Sequence, residues 1–356
     1  MSNTSRVDFT GQHIYIGLDV HKRSWSVCIL SEHCEHKTFT QPPETHKLVS
    51  YLRRHFPGAR YHSVYEAGYS GFWIHDELTE EGIDSIVVNP ADVPTKDKER
   101  RDKRDRTDCR KLARSLRNGQ LQGIYVPSRP KLEDRTLVRT RQSLVRKQTR
   151  CKNQIKSMLF FYGIHLPEET VMGHWSRRFI QWIETIQMER ASGNMALRIH
   201  LEELTHLRQI IASVNRAILA LSRTEPYRGQ VRLLRTIPGI STLTAMILLT
   251  ELDDINRFGS LDPLLSYVGL IPDIHQSGET THTGGITHRR HPQLRWLLIE
   301  ASWVAARKDP ALMMAFHQYA KRMRKTTAIV KIAKKLLNRI RYVLKNQTEY
   351  VPCVVE

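Results

Sequence analysis

Long apolar runs are missing from this chain. No stretch approaches the roughly 20 consecutive apolar residues that a membrane-spanning helix needs, and the opening MSNTSRVDFTGQ is too polar for a secretory signal. The expectation is a soluble, cytoplasmic protein with no membrane partner. Cysteine is scarce and scattered: Cys28, Cys34, Cys109, Cys151 and Cys353 form no CxxC pair, which argues against a disulfide framework. Cys28, Cys34 and His36 come nearest to a ligand group, but their spacing matches no common zinc site. Solvated hairpin residues are the plainer reading. Acid is in deficit, with 36 Asp and Glu against 55 Lys and Arg and a formal net charge of +19. Such an excess draws in polyanions and speeds their capture, so nucleic acid is the expected partner. No internal repeat stands out.

With 356 residues, 40% of them hydrophobic, the chain can bury a sizeable core divided among two or three domains. Residues 13–40 hold three short runs rich in β-branched and aromatic residues, IYIGLDV, SWSVCIL and HKTFT, separated by polar turns. They predict a small meander. A helical stretch THKLVSYLRRHF, a strand YHSVYEA, a helix around GFWIHDELTEEG and a buried strand SIVVNP follow. This alternation predicts a mixed sheet with helices on its faces.

Beyond it, KDKERRDKRDRTDCRKLARSLR (96–117) runs into a helix with Leu112 and Leu116 on one face. Leu137, Leu144, Cys151 and Met158 recur every seven residues, around the segment RTRQSLVRKQTRCKNQIK, which contains no acid. A second heptad run places Leu197, Leu204, Ile211 and Ile218 at one position, with Leu207, Val214 and Leu221 at another. Two such helices predict an antiparallel coiled-coil arm or a dimerisation stalk. LLRTIPGISTLTAMILLTEL then reads as a helix-hairpin-helix, whose turn offers N–H groups to phosphate. The stretch HQSGETTHTGGITHRRH reads as a loop, and three helices close the chain.

Asp19 and Glu66 both stand where a predicted strand ends. Side chains at strand ends of an α/β sheet converge on a shared crevice, so these two carboxylates meet if their strands are neighbours. Asp105 and Asp108, three residues apart, share a helix face and could join them. Four gathered carboxylates repel unless a cation sits among them, and hard oxygen donors select Mg²⁺ or Mn²⁺. Taken one at a time, each acid is as readily a turn former or half of a surface pair, and Ser277-Gly278 is an ordinary Ser-Gly turn.

The segments IGLDVHK, YEAGYSGFW, EGIDSIVVNP and KRDRTDCRKLA resemble the N-terminal domain of the DEDD insertion-sequence transposases of the IS-one-ten family. LLRTIPGISTLTAMILLTEL, RFGSLDPLLSYVGLIPDIHQSGE and GGITHRRHPQLRWLLIEA resemble the second domain of that family. The resemblance implies an α/β RNase H-like (RuvC-like) N-terminal domain and a second, transposase domain. With the heptad runs and a change of pattern near Tyr227, the expected bounds are 1–128 for the first, 129–226 for an α-helical coiled-coil segment, 227–346 for a mainly α transposase domain and 347–356 for a tail. The resemblance also implies that Asp19, Glu66, Asp105 and Asp108 are metal ligands and that Ser277 is the nucleophile of a DNA recombinase guided by a structured non-coding bridge RNA. Target and donor DNA, that RNA and further copies of the chain, as a homodimer or homotetramer, are the implied partners, at the bacterial nucleoid. Two departures stand out: Cys109 where a small residue is frequent, and Arg290-His291 where Gly followed by Asn or Asp is common.

Candidate nucleic-acid contacts are Lys103, Arg104, Arg106, Arg139, Arg141, Arg146, Lys147, Arg150, Lys152, Gly278, Arg289, Arg290 and Arg295. The competing expectations are a hydrolytic nuclease or Holliday-junction resolvase using the four acids alone, and a basic binding protein without activity.

Overall fold

In the computed structural model the chain divides into two compact units, residues 1–126 and 127–356. The structure describes residues 8–94, 105–277, 280–287 and 291–352, without the side chains at 105–106, 273–277 and 280–285.

The first unit is built on five strands, β1 (His13–Val20), β2 (Trp25–Leu30), β3 (Glu35–Gln41), β4 (Arg60–Glu66) and β5 (Asp84–Val88), in the order β3-β2-β1-β4-β5. The first three form the antiparallel meander, while β4 and β5 run parallel to β1. Parallel strands need crossovers; α1 (Thr45–His55) and α2 (Trp73–Glu80) supply them. Successive side chains of a strand point to opposite faces. Ile14, Ile16 and Leu18 accordingly share a core with Leu48, Leu52 and Ile74 under α1 and α2. On the opposite face lies α3 (Asp105–Arg117), with Cys109 and Ala113 against Cys28 and Leu30, and Leu112 against Val64 and Val88. This mixed sheet between helices agrees with the RNase H-like expectation.

Gly17 sets the depth of α3 on the sheet. A Cβ there would lie 2.0 Å from the Cys109 carbonyl oxygen and 2.5 Å from the Ala113 nitrogen, so helix backbone rests directly on strand backbone, an approach that only glycine permits. The helix runs opposite to β1. Its last residue, Arg117, donates to the carbonyl of Ser31 at 3.4 Å, just past Leu30, which pairs with Tyr15 near the start of β1. The N-terminal turn of α3 therefore overhangs the end of β1.

The second unit is mainly helical: α4 (Arg129–Phe161), α5 (Arg177–Thr185), α6 (Ala191–Leu221), α7 (Tyr227–Arg235), α8 (Thr242–Leu252), α9 (Leu261–Val268), α10 (Pro292–Lys308), α11 (Pro310–Ala320) and α12 (Lys325–Asn346), with β6 (Pro272–Ser277) and β7 (Thr280–Ile286) between α9 and α10. The two long helices α4 and α6 pack antiparallel. Val138 shares a core with Ile218, Arg141 Nε donates to Asn215 Oδ1 at 2.6 Å, and Cys151 Sγ to the His200 carbonyl at 3.4 Å. The seam of α6 follows the heptad reading, with Leu197, Leu204, Leu207, Ile211 and Ile218 buried. That of α4 does not: Val138, Cys151, Ile155 and Leu159 are buried, while Leu137, Leu144 and Met158 lie at the margins of the cores.

Residues on both sides of position 227 share one core, where Val138 and Ile218 meet Tyr227, Leu234 and Leu248. The expected helix-hairpin-helix is α7, a turn at Gly239 with φ +93°, and α8, capped by Ser241 Oγ accepting from the Thr244 N–H at 3.1 Å. One expectation is corrected. The Gly, Thr and His-rich stretch is an antiparallel ribbon, with Ser277 opposite Thr280 and Pro272 opposite Ile286. Its threonines favour extended backbone, a signal masked in the sequence by its glycines. Among the described residues, no helix is long and apolar enough to cross a membrane.

Candidate active site

In the first unit Leu18 pairs with Tyr65 in parallel register, and one further step sets Asp19 beside Glu66. Gly17, two residues before Asp19, faces α3, and Val64, two before Glu66, packs against Leu112 of α3. Both carboxylates therefore leave the sheet on its α3 side, at the C-terminal ends of parallel strands, where open α/β sheets gather ligands. The Asp19 side chain is 20% exposed, and its Oδ2 lies 3.2 Å from His21 Nε2. Glu66 is half-buried.

The third and fourth acids belong to the overhanging turn of α3. Cys109, Leu112, Ala113 and Leu116 form its sheet-facing stripe, and at 3.6 residues per turn positions 105 and 108 continue that stripe toward the strand ends. Asp108 is half-buried, and Asp105 opens the helix. Cys109 lies close enough to feel the Asp19 charge: burial first, then Cys28 and Asp19, push its thiol up to about 12. It is a neutral, inert filler between sheet and helix. Among the described residues, no three His, Cys, Asp or Glu side chains stand close enough to hold a metal ion; the Asp105 side chain is outside that set. Oxygen donors of this kind are the ones a hard cation takes, and the described acids at this edge are Asp19 and Glu66 on adjacent strands and Asp108 on the helix end. Cys28, by contrast, is buried under α3, while Cys34 is exposed beside His36 at 3.7 Å; the three face different surroundings and form no zinc site.

In the second unit Ser277 is the last residue of β6. Gly278, Arg289 and Arg290 lie outside the described residues. The base of the ribbon is tied to α10: the Thr287 N–H donates to Ile271 at 3.1 Å, and Arg295 Nη1 to the Thr287 carbonyl at 3.1 Å. His291 caps α10, its Nδ1 accepting from the Leu294 N–H at 3.3 Å. With Nδ1 an acceptor, Nε2 carries the proton and donates to Glu251 Oε2 at 3.1 Å. The departure at His291 is thus a helix cap, as Asn or Asp would be, with an added tether.

Glu251, fully buried on α8, was not singled out in the sequence. Arg139 grips both its oxygens at 2.7 Å, and Arg135 lies 3.7 Å away while donating to the Thr250 carbonyl. Burial works to raise the Glu251 pKa, but hydrogen bonds from Arg139 and His291, with the Arg139 charge, outweigh it and hold the carboxyl at about 2. An acid inside the apolar run MILLTEL was the available signal.

The basic residues divide. Arg139 and Arg141 turn toward Glu251 and Asn215 within the unit, and Lys152 lies 5.5 Å from the centre of the Trp175 ring. Burial, with Arg208 and Lys156 nearby, lowers the Lys152 pKa. Arg146, Lys147 and Arg150 are exposed on α4. Lys103 and Arg104 lie outside the described residues, as does the Arg106 side chain.

Comparison with known proteins covers both units. Residues 231–318 match the profile described as Transposase IS116/IS110/IS902 family, and residues 16–164 match one described as a transposase of the DEDD IS110 type. The chain is 31% identical over 304 residues to the putative transposase y4rJ of Sinorhizobium fredii, covering 77% of this chain and 74% of that protein. It is 29% identical to the putative transposase y4qE of the same organism, over 67% of this chain but only 57% of the relative's length. It is 24% identical to the transposase for insertion sequence element IS1533 of Leptospira borgpetersenii, over 86% and 93% of the two chains.

Proposed function

The chain belongs to the IS116/IS110/IS902 family of transposases, and from that premise we propose that it is a metal-dependent DNA recombinase that cuts and rejoins strands through Ser277. The observation that carries this reading is the pairing of Asp19 and Glu66 on adjacent parallel strands beneath the helix end that bears Asp105 and Asp108. Asp19, Glu66, Asp105 and Asp108 would hold Mg²⁺ or Mn²⁺, which when bound would supply charge stabilisation at a phosphate.

The Ser277 hydroxyl attacks phosphorus. Its Oγ–P bond forms as the P–O bond to one DNA strand breaks, the hydroxyl proton passes to a base, and the departing strand oxygen is reprotonated. One phosphate ester replaces another, so reversal with a different strand end rejoins DNA without a nucleotide cofactor. Hydrolysis would need no serine ribbon. A structured guide RNA pairing with target and donor DNA, and assembly as a dimer or tetramer, complete the reading; the exposed Arg146, Lys147 and Arg150 of α4 support the nucleic-acid part.

The test is to incubate the protein with element-end DNA, the RNA encoded beside the reading frame and Mg²⁺, and to look for an adduct that survives denaturant. Ser277→Ala is expected to abolish the adduct and Asp19→Asn to reduce it at least about 100-fold, with nucleic-acid binding retained in both. Cleaved products with no adduct would instead indicate a hydrolytic nuclease.

A further inference from the structure

Where the end of α6 meets α7 and the start of α8, a concave site of about 400 Å³ is lined by Arg223, Arg228, Arg232 and Arg235 together with Ser222 and Thr242. Arg228, Arg232 and Arg235 recur at i, i+4 and i+7, so one helix face presents all three. The only carboxylate paired with any of the four among the described residues is Glu225, 3.1 Å from Arg228, and both side chains of that pair are mostly exposed, so water and salt screen it. Arg232 and Arg235 lie in the last turn of α7, where cations also offset the helix dipole. That explanation fails for Arg228, which stands in the first turn of α7, where a cation opposes the dipole; Arg223, just past the end of α6, can offset the dipole of that helix instead. Four exposed guanidiniums around one concavity concentrate positive charge there, and planar guanidinium forks match phosphate oxygens.

We propose that this arginine-lined concavity is a backbone-phosphate site for the nucleic acid that the transposase handles, gripping phosphodiester groups beside the helix-hairpin-helix turn. It rests on the reading of the protein as a nucleic-acid enzyme but not on the serine chemistry. The contacts are to phosphate, so they position the nucleic acid without reading its bases.

The experiment measures binding of the full chain to a duplex DNA and to a single-stranded RNA of unrelated sequence, over about 50 to 200 mM salt. Arg232→Gln/Arg235→Gln is compared with wild type and with Arg198→Gln/Arg216→Gln, which removes two exposed charges from α6. If the site binds phosphate, the first double variant weakens binding and flattens the slope of log affinity against log salt by roughly 0.7 to 0.9 per lost contact, on DNA, on RNA or on both. The arm that flattens identifies the chain that occupies the site. Arg232→Lys/Arg235→Lys should recover most of the slope, which a merely structural role would not produce. A slope equal to wild type, or a change no larger than in the α6 control, overturns the site while leaving the Ser277 adduct untouched. Wild type that binds neither nucleic acid overturns both.

Discussion

At the scale of single residues, Glu251 is an acid held entirely by partners within its own unit. Its carboxylate is fully buried, and removing one partner of such a group costs about 3 to 5 kcal/mol because the others are left uncompensated. Glu251→Gln should therefore lower the unfolding free energy by about 3 kcal/mol, read from urea denaturation at neutral pH. Its folded pKa of about 2 lies below the ordinary value of 4.5. The stabilisation is then fully present above pH 4.5 and drains away as pH falls from there toward 2. Wild type should lose the advantage over Glu251→Gln across that acid window, and a constant gap between the two would refute the assignment. Asp19 and Glu66 were legible in the sequence because a strand-ending acid is a local pattern. Glu251 was not, since its main partner, Arg139, is 112 positions away and only folding reveals the pair.

At the scale of elements, the start of α10 depends on His291 twice, through the cap on Leu294 and the tether to Glu251. His291→Ala should cost about 1 kcal/mol for the cap alone, with more for the buried Glu251 oxygen that loses its His291 bond, whereas His291→Asn should restore the cap and recover that part. The urea midpoints of the three proteins check this; an Asn variant no better than Ala would remove the cap from the account. Strands β1, β2, β4 and β5 were readable from composition, because buried strands are short apolar runs between turn residues. The inward face of α4 was not. A heptad begun at Leu137 gives one stripe, but Arg135 and Val138 are the positions drawn into the core, because Glu251 supplies a partner for an arginine that the pattern counts as polar. The serine ribbon was hidden for a related reason: threonine and histidine alternate there without an apolar face, and glycines speak for a loop.

For the whole molecule, two compact units with separate cores are expected to melt separately. Calorimetry should resolve two transitions. Gly17→Ala, which forces a methyl group into the Cys109 carbonyl, should lower only one of them, by the equivalent of about 3 kcal/mol, and Glu251→Gln only the other. A single transition shifted by both variants would mean the units unfold as one. The acids were readable as strand-end and helix positions, and the serine only through the family resemblance; they belong to different units, and no sequence pattern states how two folded bodies meet.

Ser277 sits at the far end of a slender two-stranded arm secured at Ile271, Thr287 and Arg295. Six residues at about 3.3 Å each make that arm roughly 20 Å long, so a swing of about 10° at its root carries position 277 through an arc of some 3 Å, the span between bonding and mere proximity. Small changes at the pivot are thereby amplified at position 277, and on the serine chemistry proposed above, loosening the pivot should slow ester formation well before it unfolds anything.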